Sequence, residues 1–409
     1  MAGLEEKLCP VCFQEAMEHG ECRNCGYHAE ESSAVKDYLA PFTILKEKYL
    51  LGKSLGQGGF GITYLAENMQ SGLRCCIKEY FPSGLLQGRT PDGALILADE
   101  ENRPEYEEGK QQFIEEACAL QELRENISVV DILDFFEENG TAYFAMELIE
   151  GCNLRVFRKN HNPKQTLKMA LQMLFLLGSS LAEVHRFGMI HGDISPENIL
   201  ITQDGEIKLI DFGAARSFRQ GSDNKERKIY LKPNYAPYEQ YTQKPCQGPW
   251  TDIYALAATF YFIVSGRKML DALSRAKGAS YPPLHELCPA VSRQLSDVID
   301  KALAFDYHDR YRRMLDFLDA LEQVVRPEDY DIDLGALMPK SKASKQAEIH
   351  VETSDDSEKM CQVEEQNMPE PKRLAAFFHP KKRRLAYLEL TMRKSGGHIS
   401  RRRWIIEPN

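Results

Sequence analysis

The feature that most restricts how this chain can fold is a glycine run, Gly56-Gln57-Gly58-Gly59-Phe60-Gly61, with a strand pattern on each side. Tyr49 to Leu55 and Gly61 to Glu67 are short, β-branched or aromatic stretches of the kind that pair across a turn. Glycines let a backbone pass close over an anion and aim its amides at it. A dinucleotide crossover would need a helix to begin just after the glycines, but a strand begins instead. The run taken alone fits any glycine-rich hairpin. Seventeen residues beyond it, Cys76-Ile77-Lys78-Glu79 puts a lysine on the next strand pattern, where a lone lysine is ordinarily solvated.

The rest of the chain sorts by periodicity. Strand patterns recur at Leu73 to Lys78, Asp131 to Glu137 and Thr141 to Leu148, interrupted by one helix at about Lys110 to Arg124. After Gly151 apolar residues fall at three- and four-residue spacing in Leu167 to Val184, Asp252 to Val264 and Val291 to Ala304. A strand-rich lobe is thus followed by a helix-rich one. With 409 residues, 43% of them hydrophobic and 27% charged, there is room for two or three folded units. Subtracting 61 acidic from 51 basic side chains gives −10, which argues against a nucleic-acid coat. The longest apolar candidate, Ile253 to Val264, has the length of a core helix, short of the roughly 20 residues that cross a bilayer. Met1 to Gly20 lacks the pattern of a secretory signal, so the cytoplasm is the expected compartment.

Four of the eleven cysteines, Cys9, Cys12, Cys22 and Cys25, form two Cys-x-x-Cys pairs inside seventeen residues. Four thiolates can surround one zinc ion tetrahedrally, and each two-residue gap lets one tight turn present both sulfurs. A redox pair or free thiols are the alternatives, and the doubled spacing favours zinc. Such a closed site is structural, and residues 1 to 40 are too few to build a core without it. Gly26 follows the second pair, whereas Phe13 holds the matching place after the first, so one knuckle lacks the easy left-handed residue. The other seven cysteines read as reduced thiols.

The helical half carries His191-Gly192-Asp193-Ile194-Ser195-Pro196-Glu197-Asn198, then Asp211-Phe212-Gly213, then Tyr235-Ala236-Pro237-Tyr238-Glu239. With the glycine run and Lys78, these five motifs in this order resemble the protein-kinase superfamily, most closely bacterial serine/threonine kinases, over about residues 48 to 325. Lys78-Glu79-Tyr80-Phe81-Pro82 and Gly248-Pro249-Trp250-Thr251-Asp252 are similar to bacterial members, some of which carry a zinc ribbon in front. The resemblance implies an α+β, two-lobed kinase fold: an antiparallel sheet with one helix, then a mainly helical lobe, behind a small zinc ribbon. It implies ATP and Mg²⁺ (or Mn²⁺) as cofactors, zinc as a structural ion, and protein Ser or Thr hydroxyls as acceptors.

By that resemblance Gly56 to Gly61 cover the phosphates. Lys78 holds the α- and β-phosphates and pairs with an acidic residue on the following helix, Glu116, with Glu115 its near rival. Met146 guards the back of the adenine pocket, and Glu147, Leu148 and Ile149 offer hinge backbone groups. Asn198 and Asp211 hold the metal, and Asp193 accepts or orients the proton of the attacking hydroxyl. Glu239 pairs with Arg310, and Asp252 fixes the catalytic loop; His185 and His191 are framework residues.

Three departures stand out. Gly192 replaces the usual arginine before the catalytic aspartate, and no threonine lies between Asp211 and Glu239. Activity is therefore expected not to depend on phosphorylating that segment, whose serines include Ser217 and Ser222. Ser195 stands where the family places a lysine, and Lys232 where it places a threonine. These positions face each other in kinases that resemble this one, so Lys232 is a catalytic candidate supplying the missing ammonium. Contact with acidic substrate or solvent is the equal alternative. Third, Pro82 to Gly109 reads as an inserted polar loop without an assigned role.

The expected organisation is a zinc ribbon over 1–40, a kinase domain over 41–325 (amino-terminal lobe 48–147, hinge 147–151, carboxyl-terminal lobe 152–325), and an acidic linker with a basic, disordered tail over 326–409. From Pro371 onward eleven Lys or Arg face Glu389 and Glu407. Solvation is the favoured reading of that tail, above nucleic acid or anionic lipid, and a protein partner is a candidate for the zinc ribbon. The rival functions are a weakly active pseudokinase scaffold that changes shape on binding nucleotide, and a nucleic-acid binder with a regulatory kinase body.

Overall fold

The apolar alternation in the first third of the chain builds one sheet, and the helical periodicity after Gly151 builds the layer that carries the catalytic loop. The computed structural model describes residues 7–29, 37–58, 61–123, 126, 128–212, 216–217, 231–242, 246–338, 386–394 and 397–405. The chain divides into two compact units, residues 1–352 and 353–409.

In the first unit, β1 (Met17–Glu18) and β2 (Glu21–Cys22) form the hairpin of the cysteine module. Then come β3 (Ile44–Leu45), β4 (Tyr49–Gln57), β5 (Gly61–Asn68) and β6 (Leu73–Tyr80), the short hairpin β7 (Leu86–Arg89) and β8 (Leu95–Leu97), helix α1 (Arg103–Glu122), and β9 (Ile132–Glu138) with β10 (Thr141–Glu147). The main sheet is antiparallel throughout, in the order β3-β4-β5-β6-β10-β9. Tyr49, Leu51, Tyr64, Ile77 and Tyr143 bury one side of it, and Phe113 of α1 stacks on Phe144 of β10 at 4.8 Å on the other.

The helical lobe follows: β11 (Gly151–Asn153), α2 (Leu154–Asn160), α3 (Pro163–Arg186), β12 (Met189–Ile190), β13 (Ile199–Thr202), β14 (Ile207–Leu209), β15 (Arg216–Ser217), α4 (Pro249–Ser265), α5 (Ala272–Ala276), α6 (Leu284–Leu287), α7 (Arg293–Ala302), α8 (Met314–Glu322) and α9 (Pro327–Tyr330). Helix α3 starts sharply because Asn162 and Gln165 cap each other's backbone amides and Pro163 follows the cap. Gly266, left-handed at φ 76°, ends α4. By length and composition α3 is apolar enough to cross a membrane; the stretch singled out from the sequence lies in α4, which is shorter. Here its Met169, Leu174, Leu177 and Leu181 are fully buried in the core of the lobe.

Two expectations are corrected. The segment Pro82 to Gly109 is an ordered hairpin plus the first two turns of α1, because Arg89 anchors it from within. The packed body runs past Val325 to Met338: Leu334 and Met338 are buried, and Tyr330 stacks on Phe175 at 4.6 Å. In the second unit, β16 (Ala386–Lys394) and β17 (Gly397–Ile405) pair as an antiparallel hairpin. Gly59, Phe60, Gly213 and Ser222 lie outside the described residues.

Candidate active site

The glycine turn joins β4 to β5, and the Gly58 amide donates to the Gly61 carbonyl at 2.8 Å. A methyl group at Gly61 would overlap the Glu79 carbonyl oxygen and come within 3.7 Å of Lys78 Cε, so the missing side chain is what lets β5 close over the lysine. Lys78 sits mid-strand on β6, nearly buried, with its ammonium 5.5 Å above the Phe144 ring.

The partner of that ammonium differs from expectation. Lys78 Nζ donates to Asp211 Oδ1 at 2.7 Å, while Glu116, buried on α1, has an Oε1 atom with no hydrogen-bond partner among the described residues. Burial pushes the Glu116 carboxyl up to about 8 against the opposing pull of Lys78. The neighbouring Lys78 charge holds Asp211 well below the usual carboxylate range. Lys78 thus pairs with the carboxylate that is ionised. Glu115 is exposed and bonded to Gln111, so burial separates it from Glu116, which its sequence position did not.

The loop between β12 and β13 is braced from below. Fully buried Asp252 accepts from the His191 amide (2.8 Å) and the Gly192 amide (2.9 Å), and its Oδ2 lies 2.8 Å from His185 Nε2. Burial lowers His191 to about 4, which leaves it neutral at pH 7. Gly192 is left-handed at φ 78°, and its carbonyl accepts from Gln240 Nε2 at 2.8 Å. That amide, which the sequence reading did not single out, ties the later loop to the place where the family's arginine would stand.

Asn198 Nδ2 donates to the Asp193 carbonyl (2.8 Å) and to Asp193 Oδ2 (2.9 Å), fixing the aspartate; its amide oxygen is the atom it could offer a metal. Lys232 reaches the same carboxylate from the other side: Nζ is 2.9 Å from Asp193 Oδ2 and 2.8 Å from Ser195 Oγ. The Tyr235 and Ala236 amides both bond the Lys232 carbonyl at 2.9 Å, so its backbone is part of a closed turn. Burial raises Asp193 to about 6, with Lys232 pulling the other way.

At the hinge, Met146 precedes Glu147, the last residue of β10, whose amide donates to the Asp131 carbonyl and whose carboxylate binds Lys208 at 3.0 Å. The Glu147 amide is therefore engaged and not free to meet a base. Leu148 is half-buried and Ile149 buried. Arg310 and Glu239 form a buried bidentate pair at 2.7 and 3.1 Å, joined by Thr251. The sequence reading also missed the Arg155–Glu197 ion pair and the Arg89–Glu79 pair, the latter fully enclosed with Tyr64 and Tyr143 bonding the same carboxylate.

The four knuckle sulfurs lie within 4.8 Å of one another, with Cys9 and Cys25 at 3.5 Å and Cys12 and Cys22 at 3.6 Å. A soft, four-thiol, half-buried donor set of this size fits a tetrahedral zinc ion.

The family described as Protein kinase domain matches residues 49–319. The chain belongs to this family. Its kinase domain is 31% identical over 286 residues to serine/threonine-protein kinase F of Synechocystis sp., covering 66% of this chain and 53% of that one. It is 29% identical over 289 residues to serine/threonine-protein kinase PknA of Nostoc sp., covering 68% and 48%. Against serine/threonine-protein kinase PrkC of Bacillus subtilis it is 28% identical, covering 64% and 38%. The chain thus spans about half or less of the length of these relatives. Among solved structures, "PpkA-294 apo form" is similar with 34% identity and a TM-score of 0.59, covering 70% of this chain and all of that one. Kinase-family membership implies ATP and a divalent metal ion.

Proposed function

We propose that this chain transfers the γ-phosphate of ATP to serine or threonine hydroxyls of proteins. The observation that carries the reading is convergence: Lys78 from the sheet reaches Asp211 of the helical lobe, where Asn198 holds Asp193. Phosphoryl transfer has an anionic, loosely bonded transition state, so a catalyst of this type works by positioning and charge neutralisation. Lys78 would bind the α- and β-phosphates once it leaves Asp211, and Glu116 would then receive it. Asp193, held by Asn198, would orient the acceptor hydroxyl and take up its proton. Asn198 and Asp211 would hold Mg²⁺, which when bound neutralises charge on the phosphates. Retention of Lys78, Asp193, Asn198 and Asp211 tells against a pseudokinase scaffold. Cys9, Cys12, Cys22 and Cys25 would hold a structural zinc ion.

Incubation with radiolabelled ATP, Mg²⁺ and a generic protein acceptor, followed by phosphoamino-acid analysis, tests the reading. Label on phosphoserine or phosphothreonine, abolished by EDTA and by Lys78→Met, is expected. Label on tyrosine alone, or none, contradicts it.

A further inference from the structure

Strand β4 leads directly into the glycine turn, and its pairing with β5 breaks on the way. Leu51 is opposite Ala66 and Ser54 is opposite Tyr64, so Gly52 and Lys53 together face a single residue of β5. The bulge frees the Lys53 amide from the sheet. That amide donates instead to the carbonyl of Pro10, inside the first cysteine knuckle, at 2.9 Å. A methyl group on Gly52 would overlap the same Pro10 oxygen and sit 2.8 Å from Phe13 Cζ. Pro10 and Phe13 are buried, and the Lys53 ammonium lies 5.9 Å above the Tyr27 ring of the same module.

The two knuckles differ at the residue after the second cysteine. Gly26 takes a left-handed φ of 77°, with no atom of the described residues within 4 Å of where its Cβ would be. Phe13 takes φ 56°, a conformation that a bulky residue adopts only at a cost. The ring set there fills the space that Gly52 leaves empty. A strained aromatic in the knuckle and a glycine in the strand are complementary halves of one contact.

We propose that the first cysteine knuckle, through Pro10 and Phe13, clamps the bulge of β4 and thereby positions the glycine turn for ATP, so that zinc in the four-cysteine site sets nucleotide affinity. This rests on the zinc reading above. Phe13 and Gly52 are positioning residues and touch no substrate. The effect is expected on ATP and not on the protein acceptor, because the acceptor side is built by Asp193, Ser195 and Lys232 on the other lobe.

The test uses the full chain in five forms: zinc-loaded wild type, wild type stripped by a chelator, and zinc-loaded Phe13→Ala, Gly52→Ala and the double variant. Zinc per chain, MgATP affinity by calorimetry, KM for ATP and for a protein acceptor, and thermal unfolding of the body are measured on each. We expect ATP binding weakened about five- to tenfold in the stripped chain and in each variant, with the acceptor KM unchanged. The double variant should lose no more than either single one, since both remove the same contact. Should Phe13→Ala fail to fold, Gly52→Ala attacks the contact from the strand side. A chain that takes up no zinc overturns the metal reading and with it the zinc dependence. Zinc-loaded Phe13→Ala or Gly52→Ala with wild-type ATP affinity, or equal losses for ATP and acceptor, overturns the clamp.

Discussion

The Lys232 ammonium bridges Asp193 Oδ2 and Ser195 Oγ, 2.9 and 2.8 Å away, so the cation missing from position 195 is present in space, delivered by a different loop. The serine that replaces the lysine acts as acceptor to its substitute. If the cation matters and its point of attachment does not, Lys232→Ala should lower kcat about 10²-fold, the loss typical of one electrostatic donor at a reacting centre. The exchange Ser195→Lys with Lys232→Thr should recover most of that loss. Steady-state rates with a protein acceptor decide it, and an unchanged kcat in Lys232→Ala removes Lys232 from the chemistry.

Asp193 titrates at about 6, raised by burial and restrained by Lys232. The ionised form is the one that can accept a proton, so kcat/KM should fall as pH drops through 6. Removing Lys232 takes away the restraining charge, so the acid limb of the Lys232→Ala profile should move to higher pH. A limb that stays put would show that the ammonium does not reach this carboxylate in solution.

Glu116 gives a prediction of opposite sign for stability and activity. Its folded value of about 8 lies above the ordinary 4.5, so ionisation opposes folding, and the penalty grows as pH rises through that window. Nucleotide-free Glu116→Gln should therefore melt higher than the wild type at pH 8 to 9, by up to a few kcal/mol of stability, and alike near pH 4.5. The same variant should lose kcat, because Lys78 must find a charged partner when it releases Asp211. Melting curves and rates across that pH range test both signs.

Arg89 neutralises Glu79, a carboxylate with no solvent exposure that also accepts from Tyr64 (3.0 Å) and Tyr143 (2.8 Å). Arg89→Met would leave that charge buried and unpaired, at a cost of about 3–5 kcal/mol. Tyr64→Phe, which removes one neutral donor, should cost about 1 kcal/mol. Denaturant titration measures both, and equal effects would mean that the insertion is not held by its arginine.

The sheet and the long helices were legible because their signals are local. Tyr49 to Leu55 and Asp252 to Val264 carry their own periodicity, and both became elements within three residues of the expected ends. The start of α1 was hidden because Arg103 to Gly109 is charged and has no apolar stripe; Pro104 at its first turn was the available clue. The motifs that carry Lys78, Asp193, Asn198 and Asp211 were legible in the sequence, but not all the pairings among these residues. Whether Lys78 meets Glu116 or Asp211 depends on which carboxylate is near, a property of loop geometry that spacing does not encode. Arg89 and Glu79 are ten residues apart, yet they meet only because β7 turns back over β6. The knuckle contact left a trace on both sides, Phe13 where glycine was expected and Gly52 inside a strand, without a hint that the two belonged together.

The central claim is tested most directly by single-turnover transfer of labelled γ-phosphate from MgATP to a protein acceptor, with ATP affinity measured on the same samples, for the wild type and Asp193→Asn. Transfer by the wild type and a loss of roughly 10²–10⁴-fold in the variant, with ATP affinity little changed, is the predicted result. ATP bound by the wild type but never transferred, or an Asp193→Asn chain that transfers as fast, would contradict it.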